Sequence, residues 1–82
     1  MSEITVYGFT AGCKYCDIAK NTLVDRGVDF KFVDVREDAN TLALFKQVHN
    51  TVPQIYEDGK CMGGSEAADF VGGEDYGDLS LD

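Results

Sequence analysis

Residues 4–16 read Ile4-Thr5-Val6-Tyr7-Gly8-Phe9-Thr10-Ala11-Gly12-Cys13-Lys14-Tyr15-Cys16, and the parsing of the whole chain turns on this stretch. Ile4 and Val6 alternate with Thr5 and Tyr7, all β-branched or aromatic, which is the period of a half-buried strand. Phe9 to Gly12 makes a short turn. From Cys13 to Arg26 the apolar residues Ile18, Ala19 and Leu23 keep a helical period, with Lys14, Asp17, Lys20 and Asp25 between them. Gly27 stands where a helix is commonly stopped. A strand thus delivers a pair of cysteines to the start of a helix.

That placement carries chemistry. The free N–H groups and the dipole of a helix N-terminus favour a nearby negative charge. Thiols in such settings ionise well below their ordinary pKa of about 8.5, so a thiolate is available near neutral pH. Cys16 lies one turn further along and is expected to be more buried. Cys13 is therefore read as the sulfur that attacks a disulfide, and Cys16 as the one that resolves the mixed disulfide. Lys14 adds positive charge beside them. The chain has three cysteines, and the solitary Cys61 does not complete an even disulfide framework. A Cys-x-x-Cys pair is then either redox-active or half of a metal knuckle. Zinc would need two more ligands, and Cys61 and His49 do not form a second close-spaced pair.

Outward from this stretch, Val28 to Val35 reads as a second strand with Phe30, Phe32 and Val33 available to a buried face. Asp38 or Asn40 can cap a second helix with apolar positions Leu42, Leu44, Phe45 and Val48, ending at His49-Asn50. Strand, helix, strand implies a parallel pair joined by a right-handed crossover. Val52 to Tyr56 is a short strand opened by the single proline, Asp58-Gly59 is a hairpin turn, and Lys60-Cys61-Met62 returns antiparallel. Ser65 to Val71 begins like a helix capped by Ser65 or Gly64. The expected fold class is α/β with element order βαβαββα: a four-stranded mixed sheet flanked by helices. Residues 1–71 make the folded domain, and residues 72–82 are expected to be an acidic, loosely ordered tail.

The chain of 82 residues carries 15 Asp and Glu against 7 Lys and Arg, a formal net charge of −8. Phosphate polymers and anionic lipid surfaces need clustered bases, so neither nucleic acid nor membrane is expected as a partner. The acidity is uneven, because residues 69–82 hold 5 acids and no base, and the region around Cys13 is near neutral. The first residues include Glu3 and lack a basic segment followed by a long apolar run, so a cytoplasmic, reducing location is the expectation.

Three separated pieces, Cys13-Lys14-Tyr15-Cys16, Thr51-Val52-Pro53 and Gly63-Gly64-Ser65, together with Asp58-Gly59, resemble the glutaredoxin family within the thioredoxin fold. The resemblance spans residues 3–71 or so. It implies a monomeric, glutathione-dependent thiol-disulfide oxidoreductase that reduces protein disulfides and glutathione mixed disulfides, with Cys13 and Cys16 catalytic. Val52, next to Thr51 in the substrate-binding loop, would present backbone to the cysteinyl part of glutathione, turned toward Cys13 by a cis bond at Pro53. Gly64, Ser65 and Glu66 would hold the γ-glutamyl end, with Tyr15 beside the substrate sulfur and Lys14 a substrate-binding positive charge adjacent to the cysteines.

Two departures stand out. Lys14 replaces the proline of the common Cys-Pro-Tyr-Cys, and Thr10 stands where the family often has a lysine for the glycyl carboxylate. Lys14, Lys46 or Gln47 are the residues that could compensate. The missing proline also keeps open a binding module in which the first cysteine of each of two subunits and two glutathiones hold a [2Fe–2S] cluster. A dedicated electron donor to ribonucleotide reductase would use the same cysteines. Cys61 reads as a bystander thiol.

Overall fold

A computed structural model describes residues 3–72 of the chain. The elements run β1 (Ile4–Gly8), α1 (Lys14–Asp25), β2 (Lys31–Asp34), a 3-10 turn (Val35–Glu37), α2 (Ala39–Val48), β3 (Gln54–Glu57), β4 (Lys60–Gly63) and a terminal 3-10 helix (Ser65–Asp69). The strands form one mixed sheet in the order β2-β1-β3-β4. β1 pairs parallel with β2, placing Val6 opposite Phe32, and antiparallel with β3, placing Val6 opposite Ile55. This is the expected thioredoxin-like arrangement.

Side chains alternate across the sheet, so each strand serves two faces. Ile4, Val6 and Ile55 point to the face covered by α1 and the terminal 3-10 helix. There they meet Ala19, Leu23, Ala67, Ala68 and Val71, with Val28, Phe30, Phe32 and Met62 packed at the edge. Tyr7 and Tyr56 point to the other face, where Tyr7 meets Phe45 of α2 at 6.4 Å between ring centroids and Tyr56 edge-on at 5.2 Å.

The ends of the elements follow local chemistry. α1 closes with Gly27 at φ 74°, where the Gly27 amide donates to Val24 O at 3.0 Å and the Val28 amide to Leu23 O at 2.9 Å. That pair of bonds is the Schellman closure, and the Val28 side chain joins the core that holds Leu23. At the hairpin, Asp58 and Gly59 both have positive φ, 55° and 84°, between the directly paired Glu57 and Lys60. A turn with two left-handed residues, type I′, matches the twist of strands so closely joined.

Several expectations are corrected. β2 begins at Lys31 rather than Val28, because the Schellman closure of α1 occupies Gly27 and Val28. Ile18 lies on the exposed side of α1; the buried stripe is Cys16, Ala19 and Leu23. α2 buries no residue fully, and Leu44 and Val48 are 64% and 72% exposed. The segment after β4 is a 3-10 helix of five residues without a side-chain cap, so neither Ser65 nor Gly64 caps an α-helix there. It closes with Arg26, the C-cap of α1, whose Nη1 donates to Ala68 O at 2.7 Å and Val71 O at 2.8 Å. Gly72 then comes beside the start of the sheet: a Cβ there would lie 3.7 Å from the Ile4 side chain. Of the tail expected from residue 72, residues 73–82 lie outside the described residues.

Candidate active site

The carboxyl end of β1 opens into the Phe9–Gly12 turn, and the turn ends on Cys13, the N-cap of α1. Cys13 is extended, with φ −130° and ψ 102°, and its sulfur accepts from the Cys16 amide at 3.2 Å. A cysteine here does what Ser or Asp does at other helix starts, taking up one of the amides that the helix leaves without a partner. Cys13 and Cys16 are joined as a disulfide, with Cα atoms 5.2 Å apart. Cys13 is half-buried and Cys16 fully buried. The Cys16 sulfur accepts from the Phe9 amide at 3.4 Å. It also lies over Gly8, where a Cβ would stand 2.7 Å from it. Glycine at position 8 is therefore a condition for the buried sulfur. The strand-ending glycine before the cysteine pair was the signal for this close approach.

The turn is held from the end of β2 and the following 3-10 turn by residues that local sequence reading missed. Asp34 Oδ2 accepts from the Thr10 amide at 3.0 Å and from the Thr10 hydroxyl, and Asp34 Oδ1 accepts from the Arg36 amide at 2.8 Å. The Thr10 hydroxyl, the Thr10 amide and the Arg36 amide, in that order, bring the Asp34 carboxyl down to about 2. Arg36 donates through Nη2 to Ala11 O at 2.8 Å and stacks its guanidinium 4.0 Å from the Phe9 ring centroid. The Asp-x-Arg sequence at the end of a strand is an Asx-turn pattern, the one local cue to this cluster.

The remaining predicted residues fall into two groups. Thr51 and Val52 line a cleft of about 320 Å³ with Phe9, Phe45, Lys46 and His49. The Val52–Pro53 bond is cis, and Pro53 is buried. Gly64 is brought against this loop: a Cβ on it would lie 3.4 Å from Pro53 O. Glu66 folds back, its Oε2 accepting from the Gly64 amide at 3.1 Å. Ser65 makes no capping bond. Tyr15 and Lys14 are exposed on the first turn of α1, with the Lys14 ammonium 6.0 Å from the Tyr15 ring centroid, and neither lines the cleft. Of the three residues considered for a carboxylate contact, Lys46 alone lines it. Cys61 is exposed on β4, opposite Tyr56 and 3.5 Å from Gln54 Oε1. Among the described residues no group of three or more His, Cys, Asp or Glu is arranged for a metal ion, and no helix is long and apolar enough to cross a membrane.

The glutaredoxin family model matches residues 4–62. Among curated proteins, a hybrid peroxiredoxin of Haemophilus influenzae is 39% identical over 57 residues, covering 67% of this chain and 23% of that protein. The chain thus spans about a quarter of that relative's length. Among solved structures, the holo form of glutaredoxin C1 from Populus tremula x tremuloides is similar with TM-score 0.65 and 29% identity, covering 77% of this chain and 66% of that one. The glutaredoxin from Brucella melitensis gives TM-score 0.67 and 28% identity, with 80% and 73% covered.

Proposed function

Because the chain belongs to the glutaredoxin family, we propose that it is a glutathione-dependent thiol-disulfide oxidoreductase acting on protein disulfides and glutathione mixed disulfides. The observation that carries this reading is the pairing of Cys13, N-capping α1 with its sulfur on the Cys16 amide, with a buried Cys16 one turn on.

In the reduced protein the Cys13 thiolate attacks one sulfur of a substrate disulfide. A bond forms between Cys13 and that sulfur, and the substrate's other sulfur leaves with the electron pair and takes a proton. With a glutathionylated protein, Cys13 takes the glutathionyl group. A second glutathione thiolate then attacks, releasing glutathione disulfide and restoring Cys13. With a protein disulfide, Cys16 as thiolate attacks Cys13, closing the Cys13–Cys16 bond and expelling the reduced substrate thiol. Two glutathiones return the pair to the dithiol.

The cleft supports glutathione as the partner. The Val52 backbone before the cis bond is suited to strand-like pairing with the cysteinyl unit. Lys46 offers a cation to a carboxylate in a cleft that lacks the family's usual lysine. At the γ-glutamyl end, the Glu66 carboxylate would have to exchange its bond to the Gly64 amide for the ligand's amine. Reactions that run on a glutathione pool belong in a reducing compartment, and the cytoplasm is the location we propose.

Two variants test the assignment. Cys13→Ser is expected to abolish turnover with both substrate classes, whereas Cys16→Ser keeps deglutathionylation and loses most dithiol reduction, read with glutathione and its reductase. Turnover of a glutathione mixed disulfide by Cys13→Ser, or equal loss of both activities in Cys16→Ser, would overturn it.

A further inference from the structure

We propose that Asp34 is a positioning residue for the resolving step: from the end of β2 it fixes the Phe9–Gly12 turn so that the Phe9 amide stays on the Cys16 sulfur. The proposal rests on the reading of Cys13 and Cys16 as the working pair.

The turn lies outside the β1 ladder and ends at Gly12, which has φ 74°, so it has little intrinsic preference for one shape. What holds it comes from the end of β2 and the 3-10 turn after it. Thr10 is tied by its amide and its hydroxyl to Asp34. Ala11 is tied by its carbonyl, and Phe9 by its ring, to Arg36. Arg36 is in turn held by Asp34, through its amide at 2.8 Å and an ion pair at 3.8 Å. Three consecutive residues of the turn are therefore fixed directly or through one intermediary by a single carboxylate, whose side chain is 8% exposed. At the front of the same turn the Phe9 amide points at the Cys16 sulfur.

This amide bears on the chemistry. For Cys16 to attack the mixed disulfide it must become a thiolate while buried, and burial disfavours the charged form. A donor held on the sulfur offsets that cost, because a hydrogen bond to a charged group is worth about 1.5–3 kcal/mol. A turn freed from Asp34 would let the amide drift and lower the thiolate fraction at neutral pH. The charged groups on the surrounding elements are Lys14, Asp17, Lys20 and Asp25 of α1, Lys31 and Asp34 of β2, Arg36 and Glu37 of the 3-10 turn after it, and Glu66 and Asp69 of the terminal 3-10 helix. These are carboxylates, amines and a guanidinium, so a transition near pH 8 in the resolving step belongs to a thiol.

The step can be read without glutathione. Cys13 of the reduced protein is loaded with thionitrobenzoate. Cys16 as thiolate then attacks the Cys13 sulfur, the Cys13–Cys16 bond forms, the bond to the probe breaks, and the coloured thionitrobenzoate thiolate leaves with the electron pair. Asp34→Ala is expected to slow release about tenfold at pH 7, with the rates converging above pH 9 as the transition moves to higher pH. Asp34→Asn, which keeps an acceptor for Thr10, recovers part of the rate.

A loosened fold would slow release by the same factor at every pH. That pattern, or a rate within twofold of the parent at pH 7, overturns the proposal. If Asp34→Ala does not fold, Asp34→Asn and Thr10→Ala carry the same test, each with a loss of about threefold and the same convergence expected. A parent that releases the probe yet lacks glutathione-linked turnover contradicts the proposed function and leaves this inference standing.

Discussion

A Cβ placed on Gly8 would sit 2.7 Å from the Cys16 sulfur, closer than side-chain carbon and sulfur approach without displacement. Gly8→Ala must push that sulfur or the strand aside, and overpacking at a filled site costs about 1–3 kcal/mol. A fall of that size in the stability of the reduced protein is expected from the urea midpoint at unchanged slope; a change below about 0.5 kcal/mol would show that Cys16 shifts freely. Cys13 and Cys16 were legible in the sequence because their chemistry depends on adjacency: a strand, a short turn, and two thiols one helical turn apart. Asp34 was not, because its main partner Thr10 is 24 residues away and meets it only once β1 and β2 pair in parallel. Lys46 was one of three residues considered for a carboxylate contact, and of these it alone lines the cleft beside Thr51 and Val52.

Among the elements, α2 shows what hydrophobic period conveys and what it leaves out. Leu42, Leu44, Phe45 and Val48 recur as an amphipathic helix should, and the helix forms between Asp38 and His49. The period does not say how much of that stripe the sheet can cover. Contact with the sheet runs through Phe45 to Tyr7 and through His49, whose Nε2 lies 2.9 Å from the Tyr56 hydroxyl. Leu44 and Val48 fall beyond this line and stay exposed along a groove of about 280 Å³. With so little burial, α2 relies on its start. Asp38 Oδ1 accepts from the Asn40 amide at 3.1 Å, and Oδ2 from the Thr41 hydroxyl at 3.1 Å. Asp38→Ala is therefore expected to cost about 0.5–2 kcal/mol, with faster amide exchange in the first turn of α2 than in α1. Equal exchange in both helices would show that packing, not the cap, sustains it.

Across the whole molecule, the order β2-β1-β3-β4 puts the site at the end of a central strand and leaves closure of the core to the last described segment. That segment is too short to be held by its own helix hydrogen bonds. Arg26 substitutes by donating to the carbonyls of Ala68 and Val71, which pins the segment across α1. Arg26→Ala leaves both carbonyls without this donor and is expected to lower stability by about 1–3 kcal/mol, with loss of exchange protection at Phe70 and Val71; Arg26→Lys recovers part of it, since one nitrogen makes both bonds. Unchanged protection in Arg26→Ala would show that the apolar contacts of Ala67, Ala68 and Val71 suffice. The overall frame was legible because each strand and turn had its own chemical marker. The 3-10 geometry of the last helix was not, because Ser65 to Val71 contains good helix formers and only tertiary packing decides which geometry they take. The contact between Gly72 and Ile4 has a consequence for fusion. Polypeptide joined at either described end starts from one shared corner, separated from the Phe9–Cys13 turn by the length of β1, about 3.3 Å per residue. A chain attached at either described end therefore starts away from the thiols.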